Sequence, residues 1–213
     1  MSSGEIDGRS SRWNVHRTER RAELVDAAVT AIDTHGPDVS MAQIAAAAGV
    51  SKPVLYRYFA DKHELHSAVG QWGADEVLRR VVPAMQADGP VRDKFTGAID
   101  GYLSMIEEHH QLFVLLVRHR PGTDPLADGK VKIISTLTHY LQETLRGLDL
   151  DDSGADVWAH GIVGSGLAIG EWWLETHTMS RTQVGAYLSS FAWHSLEGTA
   201  RELGLPLSAL DSV

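Results

Sequence analysis

The chain has no cysteine among its 213 residues. Disulfides and thiolate-metal sites are therefore excluded, and a reducing cytosol is the default compartment. An apolar leader is also missing: the opening "MSSGEIDGRSSRWNVHRTERR" carries charge throughout and does not read as a secretory signal. Long hydrophobic runs are absent as well. The longest uncharged apolar stretch, Val157 to Gly170, contains His160 and Ser165 and is too short and glycine-rich to span a bilayer. The expectation is a cytoplasmic chain with no membrane partner. Strand-like alternation, internal repeats and low-complexity tracts beyond the first residues are lacking too. Positive charge is scarce, with a net charge of −9 that argues against coating nucleic acid non-specifically.

That scarcity is uneven. Through His66 there are eight basic residues against nine acidic ones, and beyond it eleven against nineteen. The first third is thus nearly neutral and the acidic excess sits in the rest. With 43% hydrophobic residues the chain has ample material for a core without staples.

What is present reads as helix. Leu24, Val25, Ala28 and Ile32 recur at helical spacing and "HGP" at 35 to 37 is a stop signal. Ser40 and Gln43 form a capping box for a short helix, which Gly49 ends as a left-handed residue. Ser51 caps the next helix, with Pro53 in its first turn, and Asp61 caps a fourth with Glu64 as box partner. Further on, Phe95, Ile99, Tyr102, Leu103 and Ile106 share a helical stripe, and "QLFVLLV" at 111 to 117 is apolar all round. Ile134, Leu137, Leu141 and Leu145 mark another helix. Two more run from about Ala155 to Thr176 and from Arg181 to Leu203. The sequence predicts an all-α protein of about nine helices.

A short helix, a glycine turn and a second short helix form the helix-turn-helix of DNA readers. Ala45, Ala48 and Val50 suit the elbow, and Leu55 and Phe59 seat the second helix in the core. Lys52, Pro53, Tyr56 and Arg57 then project from its first turns. Backbone N–H groups at the start of the next helix, with Lys62, make a phosphate clamp. An ordinary helical hairpin with a polar face is the plainer alternative; the clustering of tyrosines and cations on one short helix weighs against it.

"VSMAQIAAAAGVSKPVLYRYFADKHELHSAV" resembles the DNA-binding segment of the TetR (tetracycline repressor) family of bacterial regulators. The family pattern, "IA…AGVS" followed by "LYxYFxxKxxL", is met by Ile44, Ala45, Ala48, Gly49, Val50, Ser51, Leu55, Tyr56, Tyr58, Phe59, Lys62 and Leu65. The match covers about the first third of the chain; the remainder resembles the family only in length, all-α character and helix count. The resemblance implies that Lys52, Pro53, Val54 and Tyr56 lie nearest the bases of double-stranded operator DNA. Ser40, Ser51, Tyr58 and Lys62 would hold phosphates, while Arg57 falls at a variable position open to either contact. Arg9, Arg12 and Arg17 would either reach DNA as an arm or stay solvated. Divided this way, residues 1–16 form a flexible arm, 17–66 the helix-turn-helix domain and 67–213 a ligand-binding and dimerisation domain. A homodimeric repressor, released from a palindromic operator by a small molecule, is the implied function. A ligand-independent or activating DNA binder, or an all-α enzyme, is the alternative.

Other motifs weigh less. "GIVGSGLAIG" at 161 to 170 imitates a nucleotide-binding fingerprint, yet no strand precedes it. Gly161, Ser165, Ala168 and Trp172 share one helical face, and the resemblance implies that the last two long helices pair across a dimer. Trp173, Phe191 and Trp193 join Trp172 there as bulky contacts, with core packing the alternative for each tryptophan. Ser165 lacks the glycines of a nucleophile elbow. "EEHH" at 107 to 110, His119 and His139 have no recognised metal-ligand spacing, so neither metal nor cofactor is expected. An apolar cavity is expected among Trp72, Phe95, Ile99, Tyr102, Leu103, Ile106, Phe113, Leu137 and Leu141. Its few polar groups would be Glu76, Asp100, Glu107, Arg118, His139 and Glu171. Such a lining favours a hydrophobic, aromatic or amphipathic effector; the alternative is that these side chains pack and leave no void.

Overall fold

The computed structural model describes residues 8–117, 124–202 and 204, with side chains from Val15 onward except at residue 200. Among the described residues there are nine helices and no strand: α1 Gly8–His35, α2 Met41–Ala47, α3 Lys52–Tyr58, α4 Lys62–Gln86, α5 Val91–Glu108, α6 His110–Val117, α7 Ala127–Gly147, α8 Ala155–Thr176 and α9 Arg181–Glu202. None is long and apolar enough to cross a membrane. The helix limits expected for α8 and α9 agree to within a residue. At the other end the structure differs: residues 8–16, expected within an arm, continue α1. No proline or glycine interrupts the chain between Ser10 and His35, so nothing stops the helix from extending backward.

Helices α1 to α3 form a head whose core is Leu24, Ala28, Ile32, Ile44, Leu55 and Phe59, all at most 1% exposed. Helix α4 leaves this head and enters the body, where it packs on α5 and α7; α7 packs on α8, and α5 on α9. The expected boundary at 66/67 therefore falls inside one continuous helix, and Leu65 and Val69 of α4 belong to the same buried cluster as the head. Helices α8 and α9, by contrast, make no extended contact with each other.

Two further locks join head to body. The Asp33 carboxylate of α1 meets His109 Nδ1 at 2.6 Å, just before α6. Trp72 of α4 donates its indole N–H to Asp26 of α1 at 2.9 Å and stands edge-on to the His109 ring. Trp72 thus braces the head rather than lining a cavity, a correction to the sequence expectation. An indole N–H half-buried at a helix crossing needs an acceptor, and Asp26 supplies it.

Candidate DNA-reading head and apolar cavity

The head is built by local signals that agree with one another. Ser40 and Gln43 close a reciprocal capping box on α2. At its other end Val50 N–H bonds the Ala45 carbonyl and Gly49 N–H that of Ala46, a Schellman turn with Gly49 at φ +63°. Glycine takes that conformation without the Cβ penalty, which sets the elbow angle between α2 and α3. Ser51 is the N-cap residue of α3 but its side chain makes no capping bond, so this part of the expected cap is absent. The exposed Ser51 hydroxyl and the exposed Lys52, Pro53, Tyr56 and Arg57 all lie at or beyond the start of α3. Lys52 Nζ sits 5.7 Å from the Tyr56 ring centroid, holding the two side chains as a pair. Val54 and Tyr58 are half-buried, while Leu55 and Phe59 are fully buried and anchor the helix.

Lys62 departs from its expected role as a simple phosphate clamp. Its ammonium donates to the Val39 carbonyl at 2.7 Å, next to Ser40 at the start of α2. This bond ties the beginning of α4 to the beginning of α2, and uses one of the three protons of the ammonium. Asp61 caps α4 by accepting from Glu64 N–H, but the Glu64 carboxylate accepts from Ala60 N–H and from Arg21. The Ala60 bond, aided by Arg21 and against some desolvation, holds Glu64 below its ordinary carboxylate value. Arg21 also lies over the Phe59 ring at 4.6 Å. No spacing rule marks Arg21, because its partners are 38 and 43 residues away. Arg17 is exposed on α1, whereas the side chains of Arg9 and Arg12 fall outside the described residues.

The body holds a cavity of about 640 Å³ between α4 to α9. On α4 its lining runs from Gly73 to Gln86, about 20 Å of helix at 1.5 Å per residue. Phe95, Ile99, Tyr102, Ile106, Phe113, Leu137 and His139 line it. Leu103, Leu141 and Glu171 do not. Leu103 is fully buried beside α9, and Leu141 packs on Ala155 and Ala159 in the α7–α8 contact. Both follow the apolar stripe of their helix, but a stripe wide enough to bury a helix has flanks that meet different neighbours.

The charged groups expected in the cavity are mostly spent elsewhere. Glu76 accepts from both Arg79 and Arg80, and Arg80 reaches Ser104 and Glu108 of α5. Asp100 and Glu107 face Arg181 of α9. Arg118 and His119 lie outside the described residues. His109 and His110 face Asp33 and His177, and His139 pairs with Glu143, so among the described residues these histidines do not converge. Beside the expected His139, the polar residues at the wall include Gln86, Lys130, Thr136, Tyr140, Glu143, Ser165, Ser195 and Thr199. Tyr102 lines the cavity and donates to the Gly166 carbonyl of α8 at 2.8 Å; burial pushes its phenol up.

Of the glycines in "GIVGSGLAIG", Gly170 is the one whose lack of a side chain the packing requires. A Cβ on Gly170 would stand 2.5 Å from the Tyr102 hydroxyl, 2.9 Å from Ile106 and 3.1 Å from Phe113. Gly170→Ala is expected to overpack this contact and cost about 1–3 kcal/mol, lowering the melting temperature by roughly 3–10 °C. Thermal unfolding followed by circular dichroism measures it; an unchanged midpoint means that Tyr102 is freer to move than its burial implies.

The expected dimer face is divided in the structure. Gly161, Ser165 and Phe191 line the cavity, and Phe191 is also 60% exposed. Ala168 and Trp172 are exposed beside them. Trp173 is buried, donating to the Met179 carbonyl, and Trp193 lies against Arg92 of α5, so these two pack within the chain.

A capped helix, a glycine elbow and a second helix presenting lysine, tyrosine and arginine, carried on a helical body, define a DNA-binding transcriptional regulator of the helix-turn-helix type. Residues 24–69 match bacterial regulatory proteins of the tetR family, and residues 78–206 match the tetracyclin repressor-like C-terminal domain. An uncharacterised HTH-type transcriptional regulator of Mycobacterium tuberculosis is 33% identical over 197 residues, 91% of this chain and 84% of the relative. The HTH-type transcriptional activator FasR of Mycolicibacterium smegmatis is 29% identical, with 84% of each chain covered. Among solved structures, a tetR-family regulator from Streptomyces coelicolor superposes with a TM-score of 0.72 at 24% identity, covering 92% of this chain and 87% of the other. FadR from Bacillus subtilis, solved in complex with stearoyl-CoA, gives 0.65 at 16% identity, covering 80% and 96%. The chain belongs to the TetR family of bacterial transcriptional regulators. It is a regulator and not an enzyme.

Proposed function

We propose that the protein is a cytoplasmic homodimeric repressor that binds a palindromic operator and is released by an elongated apolar ligand. The single observation behind the ligand class is the cavity: about 640 Å³, walled by Phe95, Ile99, Tyr102, Ile106 and Phe113, with polar groups confined to a few positions. An acyl chain fits that description better than a sugar or a phosphate, since unpaired polar groups would be stranded against such walls. FadR's complex with stearoyl-CoA supports the same class.

Coupling to DNA would run through α6. Phe113 and Leu116 touch the cavity, and His109, just before that helix, holds Asp33 of the head. A ligand that displaces α6 shifts α1 and, with Trp72 and Asp26, the entry of α4. Two heads in a dimer then lose the spacing that matches half-sites about one helical turn apart. The ligand need only favour the non-DNA state by the coupling free energy.

Palmitoyl- or stearoyl-CoA at about 100 times Kd is expected to stabilise the protein by about 2.7 kcal/mol, a rise of roughly 5–10 °C in melting temperature. Screening those compounds beside free fatty acids, aromatic acids and cationic drugs by thermal shift tests the reading. Stabilisation by small hydrophilic metabolites alone would sink it. FasR's role as an activator favours a second reading, in which DNA binding raises transcription. In vitro transcription from the operator separates the two: added protein lowers the transcript for a repressor and raises it for an activator.

A further inference from the structure

Helix α1 is longer than the head needs. Among its described side chains the first to enter the core is Leu24, yet the helix begins at Gly8, and residues 15–19 are all exposed. Three contacts set its direction. Arg21 meets Glu64 at the start of α4, Asp26 takes the indole N–H of Trp72 further along α4, and Asp33 meets His109 at the body. The two helices therefore run in the same sense, from the reading end of the head toward the body. That end also holds the start of α2, tied to α4 by the Lys62 bond to Val39. Traced backward from Arg21, α1 passes the start of α4 and continues to Gly8. At 1.5 Å per residue this overhang is about 20 Å long, the length of roughly six base-pair steps.

The overhang is cationic in an acidic protein. Residues 8–18 contain Arg9, Arg12 and Arg17 and no aspartate or glutamate, within a chain of net charge −9. Asp7 and Glu19 bound the stretch. Arginines of the packed part are engaged: Arg20 pairs with Glu23 and Arg21 with Glu64. For helix stability alone the overhang is a poor choice of residues. The first turn of α1 carries an arginine and no acidic residue, which sets a cation at the positive end of the helix dipole, where an acid would stabilise. A row of anions alongside reverses the sign of that cost. Duplex DNA supplies one phosphate charge per roughly 1.7 Å of its axis, and it is the partner that the outward face of α3 meets at this end of the head.

We infer that the overhang of α1 is a second DNA-contacting element, lying along the phosphates that flank the half-site read by α3, with Arg9, Arg12 and Arg17 as its contacts. This rests on the DNA-reading head and extends its footprint beyond the helix-turn-helix. Phosphates carry no sequence, so the element holds and orients the head without choosing bases. A continuous helix does so better than a loose arm. Its charges sit on a rod anchored at Arg21 and Leu24, and less chain is left to be ordered on binding.

Two variants of the full chain test this. The probe is a labelled duplex that the wild type selects from a random pool, kept several base pairs longer than the protected half-sites. Affinity is read by fluorescence anisotropy over a series of salt concentrations. The triple substitution Arg9→Gln, Arg12→Gln and Arg17→Gln removes the charge and is expected to keep the wild-type melting temperature, since the overhang lies outside the core. Its slope of log affinity against log salt should shrink by about 0.9 per lost contact, roughly 2–3 for each head bound. An unchanged slope overturns the inference; loss of selectivity in Lys52→Ala would then still leave the reading head standing. Asn14→Pro keeps every charge but breaks the helix ahead of it, because proline removes an interior hydrogen bond and clashes with the preceding turn. The slope should then fall by about two contacts' worth, those of Arg9 and Arg12. A proline variant with the wild-type slope overturns the helix as the contacting form.

Discussion

Lys52→Ala and Tyr56→Ala each weaken operator binding by about 1–3 kcal/mol, roughly 5- to 150-fold, while binding to random DNA changes far less. The expectation follows from where the side chains stand. Leu55 and Phe59 are fully buried, so the α3 face that carries Lys52 and Tyr56 is turned away from the core and toward solvent. The Lys52 ammonium lies 5.7 Å from the Tyr56 ring, so each side chain orders the other and the double substitution costs less than the sum. Lys62→Ala behaves differently. It removes a positive charge and the bond to Val39 that ties α4 to α2, so it weakens both DNAs alike and reduces the salt dependence by about one phosphate contact. Gel-shift titrations against operator and random DNA at several salt concentrations read all three effects. Unchanged operator affinity in Lys52→Ala and Tyr56→Ala would place the reading face elsewhere.

Arg80→Met is expected to destabilise the fold by about 3 kcal/mol, because it leaves a buried carboxylate short of its best partner. Glu76 is 6% exposed and is held by Arg79 and Arg80, and only Arg80 is itself largely covered, bridging to Ser104 and Glu108 of α5. Burial alone would raise the Glu76 carboxyl; hydrogen bonds and charge from the two arginines outweigh it and hold it below its ordinary value of 4.5. Glu108, held down chiefly by its hydrogen bond from Arg80, shifts the same way. A carboxylate whose folded pKa lies below its unfolded one contributes stability above the unfolded value and loses it as pH falls through the folded value. The wild type should therefore lose stability on acidification below about pH 4.5, and Arg80→Met should lose less, having less to give up. Denaturant titrations from pH 7 down to pH 3 follow both; a variant as stable as the wild type at pH 7 would mean that Arg79 alone satisfies Glu76.

The head was legible because its signals are local. Ser40 with Gln43, Gly49, Pro53 and Asp61 each act within four residues along the chain, and the "LYxYF" spacing of Leu55, Tyr56 and Phe59 divides buried from outward side chains by helical period alone. Contacts made by one helix turn with the next can be read in order, and the family pattern sits on those same residues. The head's long-range ties could not be read so. Arg21 to Glu64, Lys62 to Val39 and Asp33 to His109 join residues 43, 23 and 76 positions apart, and nothing in local spacing selects one partner over another.

The body divides in the same way. Apolar periodicity determined that α4 to α9 would be helices with a buried stripe, and that a lining drawn from them would be apolar. It could not decide which flank of each stripe meets a neighbour and which meets a void. Trp72, Leu103 and Leu141 share the character of Ile99 and Ile106, yet they pack on α1, α9 and α8 respectively, while Ile99 and Ile106 face the cavity. Polar groups were harder still, since Glu76, Asp100 and Glu107 find arginines on their own or another helix rather than a ligand. By itself the sequence determined the all-α class, the DNA-reading motif and the apolar stripes of the body. Only the tertiary structure decided where those stripes part to leave a cavity, because a helix's crossing partner is chosen by the packing of the whole body and not by its own period.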